Sequence, residues 1–156
     1  MRGLDHSKLK GQLTAASYFQ SVDTPNNRKF VQAFRAKYGQ DRIVDAEIAA
    51  AYAQVYLWKL AVEKAGSFDI AKVQAALRAR VSFDAPEGLI SIDVKNNHVR
   101  KAFRMGRVRE DRQFDIVYET APIDPEPYPQ AAFPGWGCDW TRTGVIRGGN
   151  VEIRPR

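Results

Sequence analysis

With a single cysteine, Cys138, this chain of 156 residues cannot form an internal disulfide, and sulfur chemistry gives no hint of its compartment. Histidine is nearly as scarce. His6 and His98 are the only two, and no HExxH, CxxC or similar His/Cys/carboxylate spacing supports a metal site. No cofactor motif is present either: the glycines between Gly144 and Gly149 lack the preceding strand and following helix that would let backbone amides cradle a phosphate. No run approaches the roughly 20 apolar residues of a membrane span. The stretch from Met1 to Gln12 is polar, with Asp5, His6, Lys8 and Lys10, and has no signal-peptide core. As written, the sequence is expected to be soluble and carries no export address.

What is present suits one globular domain. The chain is 44% hydrophobic, with eight Phe, six Tyr and three Trp for a core, and at this length folding buries roughly 70% of the unfolded surface. The formal charge of +6 raises a nucleic-acid reading. Arg100, Lys101, Arg104, Arg107, Arg109 and Arg112 are the only cluster, however, and Glu110 and Asp111 interrupt it without interleaved aromatics. Solvated faces explain the charge better, and no nucleic-acid partner is expected.

The period of the apolar residues changes along the chain. Gly11 to Phe19 reads as a buried strand. Thr24 then stands as an N-cap with Pro25 in the first helical position, Phe30, Val31, Phe34 and Tyr38 at helical spacing, and Gly39 as a left-handed stop. A second helix is predicted from Ala46 to Ala65, with Ile48, Tyr52, Val55, Tyr56 and Leu60 on its stripe and Gly66 beyond it. Asp69 caps a third running to about Arg80, with Phe68 stapled to Val73 and with Ile70, Val73 and Leu77 inward. Strands follow at Val81 to Phe83 and Leu89 to Val94, separated by the turn Pro86 to Gly88. A hairpin from Lys101 to Glu119 turns at Arg109 to Arg112, with Phe114, Ile116 and Tyr118 on one face. Residues 121–136 carry five prolines and read as an extended strap held by Tyr128, Phe133, Trp136 and Trp140; residues 141–156 read as a mobile tail.

Catalytic chemistry finds no residue set. His98 sits in the turn Asn96 to His98 as a cap or an exposed imidazole, and Glu87 and Asp93 flank turns where surface placement is expected. The chain reads as a non-enzyme.

Several segments in order resemble one family. They are AASYFQSVDTP from Ala15 to Pro25 and the helix bearing Phe30, Val31 and Phe34, then Ala50 to Tyr52, Asp84 to Gly88, Asn96 to His98, and Pro122 to Tyr128. The closing Cys138 to Trp140 adds to them. Together they resemble the C-terminal part of urea- and short-chain-amide-binding members of the leucine/isoleucine/valine-binding family, the type I periplasmic binding proteins. The resemblance covers almost the whole chain.

That resemblance implies a partial two-lobed α/β fold, incomplete at the N-terminus, whose lobes are joined by three crossings and close over a small ligand. Residues 1–23 would be the distal-lobe end and a hinge crossing, 24–87 helices of the N-terminal lobe, 88–120 a crossing and distal-lobe hairpin, and 121–156 the strap and tail. The function implied is the substrate-binding component of an ABC transporter for urea or short amides. Its partners would be a neutral ligand and an inner-membrane permease, and the intact protein would be periplasmic. A cytoplasmic amide-sensing regulator of amidase expression is the alternative. Glu47, with Asp45 beside it, falls at a position that relatives use for ligand contact; both acids also suit the positive end of a helix without any ligand. No cofactor, catalytic residue or metal is implied. Standing alone, the chain is expected to expose an apolar patch including some of Phe30, Phe34, Tyr52 and Tyr56, and to self-associate.

Overall fold

The computed structural model describes residues 8–127, 129, 131, 132, 134, 144–147 and 150–153. They fall into two units, Met1–Pro125 and Glu126–Arg156. In the first, local capping signals set three helices. Helix α1 (Pro25–Tyr38) starts where Thr24 Oγ1 accepts the Asn27 N–H at 3.0 Å and Pro25 occupies the first turn. Gly39 ends it at φ 118° and ψ 143°, an extended positive-φ conformation in place of the left-handed helical one expected. Helix α2 (Ala46–Ala65) runs from the Asp45 cap to Gly66, which is left-handed at φ 59° and ψ 24°. Helix α3 (Ile70–Arg78) is capped by Asp69, whose Oδ1 accepts from Lys72 N.

Packing on these helices departs from the size-based stripes. Helix α2 buries Ala49, Ala53, Leu57 and Ala61, while Tyr52 and Leu60 are half-buried and Val55 and Tyr56 exposed. Small residues four apart let α3 and the strands approach closely; the larger ring and branched side chains take the flanks. The Phe68 staple is absent. Phe68 is 79% exposed and lies beside Trp58, and Ile70 is 74% exposed, so α3 buries only Val73 and Ala76 with Leu77 half-buried.

Strand β1 (Leu13–Ala16) is an exposed edge strand and not the buried one expected. Strands β2 (Ser82–Ala85), β3 (Gly88–Ile92) and β4 (Val99–Arg100) form one antiparallel sheet in that order. Ala85 pairs with Gly88, so Pro86 and Glu87 make a two-residue turn. Apolar and polar residues alternate along Ile90 to Asp93, yet Ile90, Ser91, Ile92 and Asp93 are all buried. Strands β5 (Arg104–Val108) and β6 (Phe114–Glu119) form the expected hairpin, and β5 also pairs with β1, giving the antiparallel order β1-β5-β6. Gly106 lies against Phe19, where an added Cβ would come within 2.8 Å of the ring, so only glycine lets that ring seat on the sheet.

Two cores result. One holds Ala53, Leu57, Ala61, Val73, Val81, Ile90 and Ile92 between α2, α3 and the β2-β3-β4 sheet. The other holds Tyr18, Val22, Phe30, Val44 and Ala49, with Phe34, Tyr52 and Ile116 against it. Phe30 is thus core and not part of an exposed patch, and Tyr52 lies tilted between Phe30 and Tyr56 at centroid distances of 4.5 and 4.7 Å. The chain leaves the β1-β5-β6 sheet for α1 at residues 17–24, enters it from β4 at 101–103, and leaves it again at 120–122 to run back beside β4, where Ile123 bridges Lys101 and Asn96 Nδ2 donates to the Pro125 carbonyl.

In the second unit, β7 (Gly144–Arg147) and β8 (Asn150–Ile153) pair antiparallel, so the tail expected to be mobile contains a β-hairpin. Tyr128, Phe133, Trp136, Cys138 and Trp140 lie outside the described residues. No helix among the described residues is long and apolar enough to cross a membrane.

Candidate functional site

The start of α2 is fixed from a distance in sequence. Gln20, between β1 and α1, accepts the Val44 N–H on its Oε1 at 2.8 Å, and Val44 is buried beneath it. That contact delivers Asp45 to the cap position, where its Oδ1 accepts the Ile48 N–H at 2.9 Å. Glu47 follows in the first turn, exposed, at the positive end of the helix dipole. Asp45 is therefore engaged with the backbone, whereas Glu47 presents its carboxylate to solvent.

Both acids line a groove of about 900 Å³ between the N-terminal turn of α2 and the β1-β5-β6 sheet. Gln12, Tyr18, Phe114 and Arg112 are also on its walls. The Tyr18 hydroxyl donates to Asn27 Oδ1 at 2.8 Å, and Asn27 Nδ2 in turn donates to the carbonyls of Gln20 and Val22. Burial first, then the charges of Glu87 and Asp45, hold the Tyr18 phenol well above its ordinary pKa. Tyr18 thus serves as a neutral, fixed wall, which mere β-propensity in the segment Gly11 to Phe19 did not reveal.

A second polar centre lies at the three chain passages. Arg104, on β5, is 2% exposed and reaches three segments at once. Its guanidinium donates to the Ser17 carbonyl, to the Glu87 carbonyl at 2.7 Å, and to both carboxylate oxygens of Glu119 at 2.9 and 3.1 Å. Glu87 is itself 3% exposed and Asp93 9%, which corrects the surface placement expected for both. Burial of Glu87 is tolerable because Lys101 Nζ approaches its Oε1 at 3.8 Å. Asp93 is structural: its Oδ1 accepts the backbone N–H groups of Lys95 and Asn96, closing the turn before His98. His98 is exposed, and its own N–H donates to Asn96 Oδ1.

The basic cluster is dispersed by the fold. Besides buried Arg104, Arg100 pairs with Asp124, and Arg109 with Asp111 and Asp115. Among the described residues no group of three or more His, Cys, Asp or Glu is arranged to hold a metal ion.

The family model for the periplasmic binding protein domain matches residues 1–133, and the chain belongs to that family. The Leu/Ile/Val-binding protein homolog 6 of Brucella abortus is 31% identical over 90 residues, which are 57% of this chain and 23% of that protein. A protein of Geobacillus stearothermophilus named limonene hydroxylase is 36% identical over 118 residues, 75% of this chain but 21% of its own length. That name describes a protein four-fifths of which lies outside the match, and no catalytic role passes from it to this chain. Among solved structures, a solute-binding protein of an ABC transporter from Rhodopseudomonas palustris BisB5, in complex with 3,4-dihydroxybenzoic acid, superposes with a TM-score of 0.68 at 21% identity, over 74% of this chain and 32% of that one. A leucine-binding protein of Thermotoga maritima gives 0.61 at 28% identity, over 73% and 32%. The fold is thus an α/β portion of the type I periplasmic binding protein architecture, and the chain spans about a third of the length of these solved relatives and less than a quarter of the curated ones.

Proposed function

We propose that this chain contributes part of the ligand cleft of a substrate-binding component of an ABC transporter, and that the ligand is urea or a short-chain amide. One observation carries the ligand assignment: Glu47 sits exposed on the groove wall with its carboxylate uncommitted to the cap, which Asp45 alone provides. An amide N–H can donate to Glu47, and the charged acceptor strengthens such a bond relative to a neutral one. Several structural relatives were solved with benzoate-type acids. A carboxylate entering this groove would meet Glu47 and Asp45 as like charges, whereas a neutral amide would not. In this reading the three passages at residues 17–24, 101–103 and 120–122 act as crossings between two lobes, and the intact protein works in the periplasm, delivering ligand to an inner-membrane permease.

Calorimetric titration of the chain with urea, acetamide, benzoate and leucine tests the assignment. Urea or acetamide should bind more tightly than the other two, and Glu47→Gln should weaken that binding by about tenfold, the loss of one charge-assisted hydrogen bond. Benzoate or leucine binding more tightly than either amide would overturn it.

A further inference from the structure

The fold fixes the orientation of the Gln20 side-chain amide. A backbone N–H can bond only to an oxygen, so the 2.8 Å contact with Val44 N assigns Oε1 to Val44 and leaves Nε2 as the other end. Nε2 has no hydrogen-bond partner among the described residues and is open to solvent. The backbone beneath is held as well: Asn27 Nδ2 donates to the Gln20 carbonyl at 2.9 Å, while Asn27 Oδ1 accepts from the Tyr18 hydroxyl. Val44, Asp45 and Glu47 line the same groove as Gln20, so the Gln20 amide lies at that wall. Neutral N–H donors in a set orientation therefore stand beside the head of α2, where Glu47 is a charged acceptor.

Urea or a primary amide carries a carbonyl oxygen as well as N–H groups, so it needs a donor and an acceptor from its site. Glu47 supplies only the acceptor. We infer that Gln20 is a specificity-determining residue of this groove, its Nε2 donating to the ligand's carbonyl oxygen while the ligand's own N–H donates to Glu47, a role that rests on the groove being the amide site proposed for it. A neutral donor suits the place better than a lysine or arginine. With Asp45 and Glu47 on the same wall, a cation would be drawn into an ion pair and its N–H groups engaged there. Selectivity follows from the unpaired end: a solute of the same shape with a poor acceptor in place of the oxygen would cover Nε2 without satisfying it, at a cost in affinity.

Gln20→Glu separates the two ends of the side chain. Its carboxylate still accepts from the Val44 N–H, but the donor has become an acceptor. Calorimetry on the whole chain compares urea, acetamide and thioacetamide, whose sulfur is a weak acceptor. Gln20→Glu should bind urea and acetamide at least about tenfold more weakly than the parent does, and its ratio of acetamide to thioacetamide affinity should fall by about tenfold. In the parent, the side-chain amide protons of Gln20 should shift in nuclear magnetic resonance spectra as acetamide saturates the groove, which decides the matter even if Gln20→Glu fails to fold. A parent that binds acetamide without moving those protons, or a folded Gln20→Glu that keeps the parent's ratio, would overturn the role of Gln20 and leave the groove as the amide site. A parent that binds neither urea nor acetamide would overturn both.

Discussion

Arg104 and Glu119 face each other at the first rung of the β5–β6 pair, and the guanidinium meets the carboxylate at two points, Nη2 to Oε1 at 2.9 Å and Nε to Oε2 at 3.1 Å. The fork leaves other donors free for the Ser17 and Glu87 carbonyls. One side chain therefore ties the end of β1, the β2–β3 turn and the end of β6, all beside the passages into and out of the β1-β5-β6 sheet. Arg104→Met should destabilise the chain by about 3 kcal/mol, because buried carbonyls lose their donor as well as the ion pair. Arg104→Lys keeps the charge but cannot fork, and should lie between that variant and the parent. Urea unfolding midpoints measure both; equal stability of all three would show that the clamp contributes nothing.

The tyrosines give the fold an alkaline limit. Burial, then the hydrogen bond and charge of Tyr56, push Tyr52 from 10.0 to about 12, and burial with the charges of Glu87 and Asp45 raises Tyr18 as well. Between pH 10 and about 12 the unfolded chain loses phenolic protons that the native state still holds. The unfolded state then binds fewer protons, so stability present below pH 10 falls as pH rises through that window. The urea midpoint should drop steadily above about pH 10, and phenolate absorbance should show Tyr18 and Tyr52 ionising only above their ordinary range. A midpoint unchanged to about pH 12 would contradict the account.

Capping and ligand contact at the head of α2 separate by substitution. Asp45→Asn retains an acceptor for the Ile48 N–H and should keep stability within about 0.5 kcal/mol, whereas Asp45→Ala should lose about 1 kcal/mol. Thr24→Ala should lose more, about 2 kcal/mol, because Thr24 Oγ1 both caps α1 and donates to the Pro86 carbonyl at 2.9 Å. Thermal unfolding of the three variants is the measurement; an Asp45→Asn loss as large as that of Asp45→Ala would mean that the cap is not what Asp45 provides.

The elements legible in the sequence are those whose signals are local. Thr24, Asp45, Gly66 and Asp69 each set a helix end within four residues, and α2 was readable to its last residue. The packed face of α2 was not, because alanines recur all round it and size favours Tyr52, Val55 and Tyr56, while the partners of the Ala49, Ala53, Leu57 and Ala61 stripe are far along the chain. For the same reason Glu87 looked like a surface turn residue: what permits its burial, Lys101, and what ties its backbone, Arg104, come 14 and 17 residues later. At the candidate groove, Glu47 and Asp45 were visible as helix-head acids, but Tyr18, Gln20 and Phe114 reach the same place only through tertiary packing. The β7–β8 pair is hidden in the sequence because glycine and arginine break up the apolar signal of Val145, Ile146, Val151 and Ile153.

Self-association should come from a different surface than the one large aromatics suggest. Phe30 is buried and Tyr56 stacks flat on Phe83 at 4.9 Å, so the ladder from α1 to β2 largely covers itself. Among the apolar groups left in water, Val55, Trp58, Phe68 and Ile70 lie on α2 and around the start of α3, with the Trp58 and Phe68 rings 6.1 Å apart. Clustered exposure of this kind favours association between copies or with another apolar surface. Phe68→Ser combined with Ile70→Lys should therefore lower both dye binding and sedimentation-detected oligomer while leaving the unfolding midpoint within about 0.5 kcal/mol of the parent, because neither side chain is packed. Phe30→Ser should instead destabilise by about 3 kcal/mol, since it removes a ring from the second core. A double variant that associates as strongly as the parent would show that the contact surface lies elsewhere.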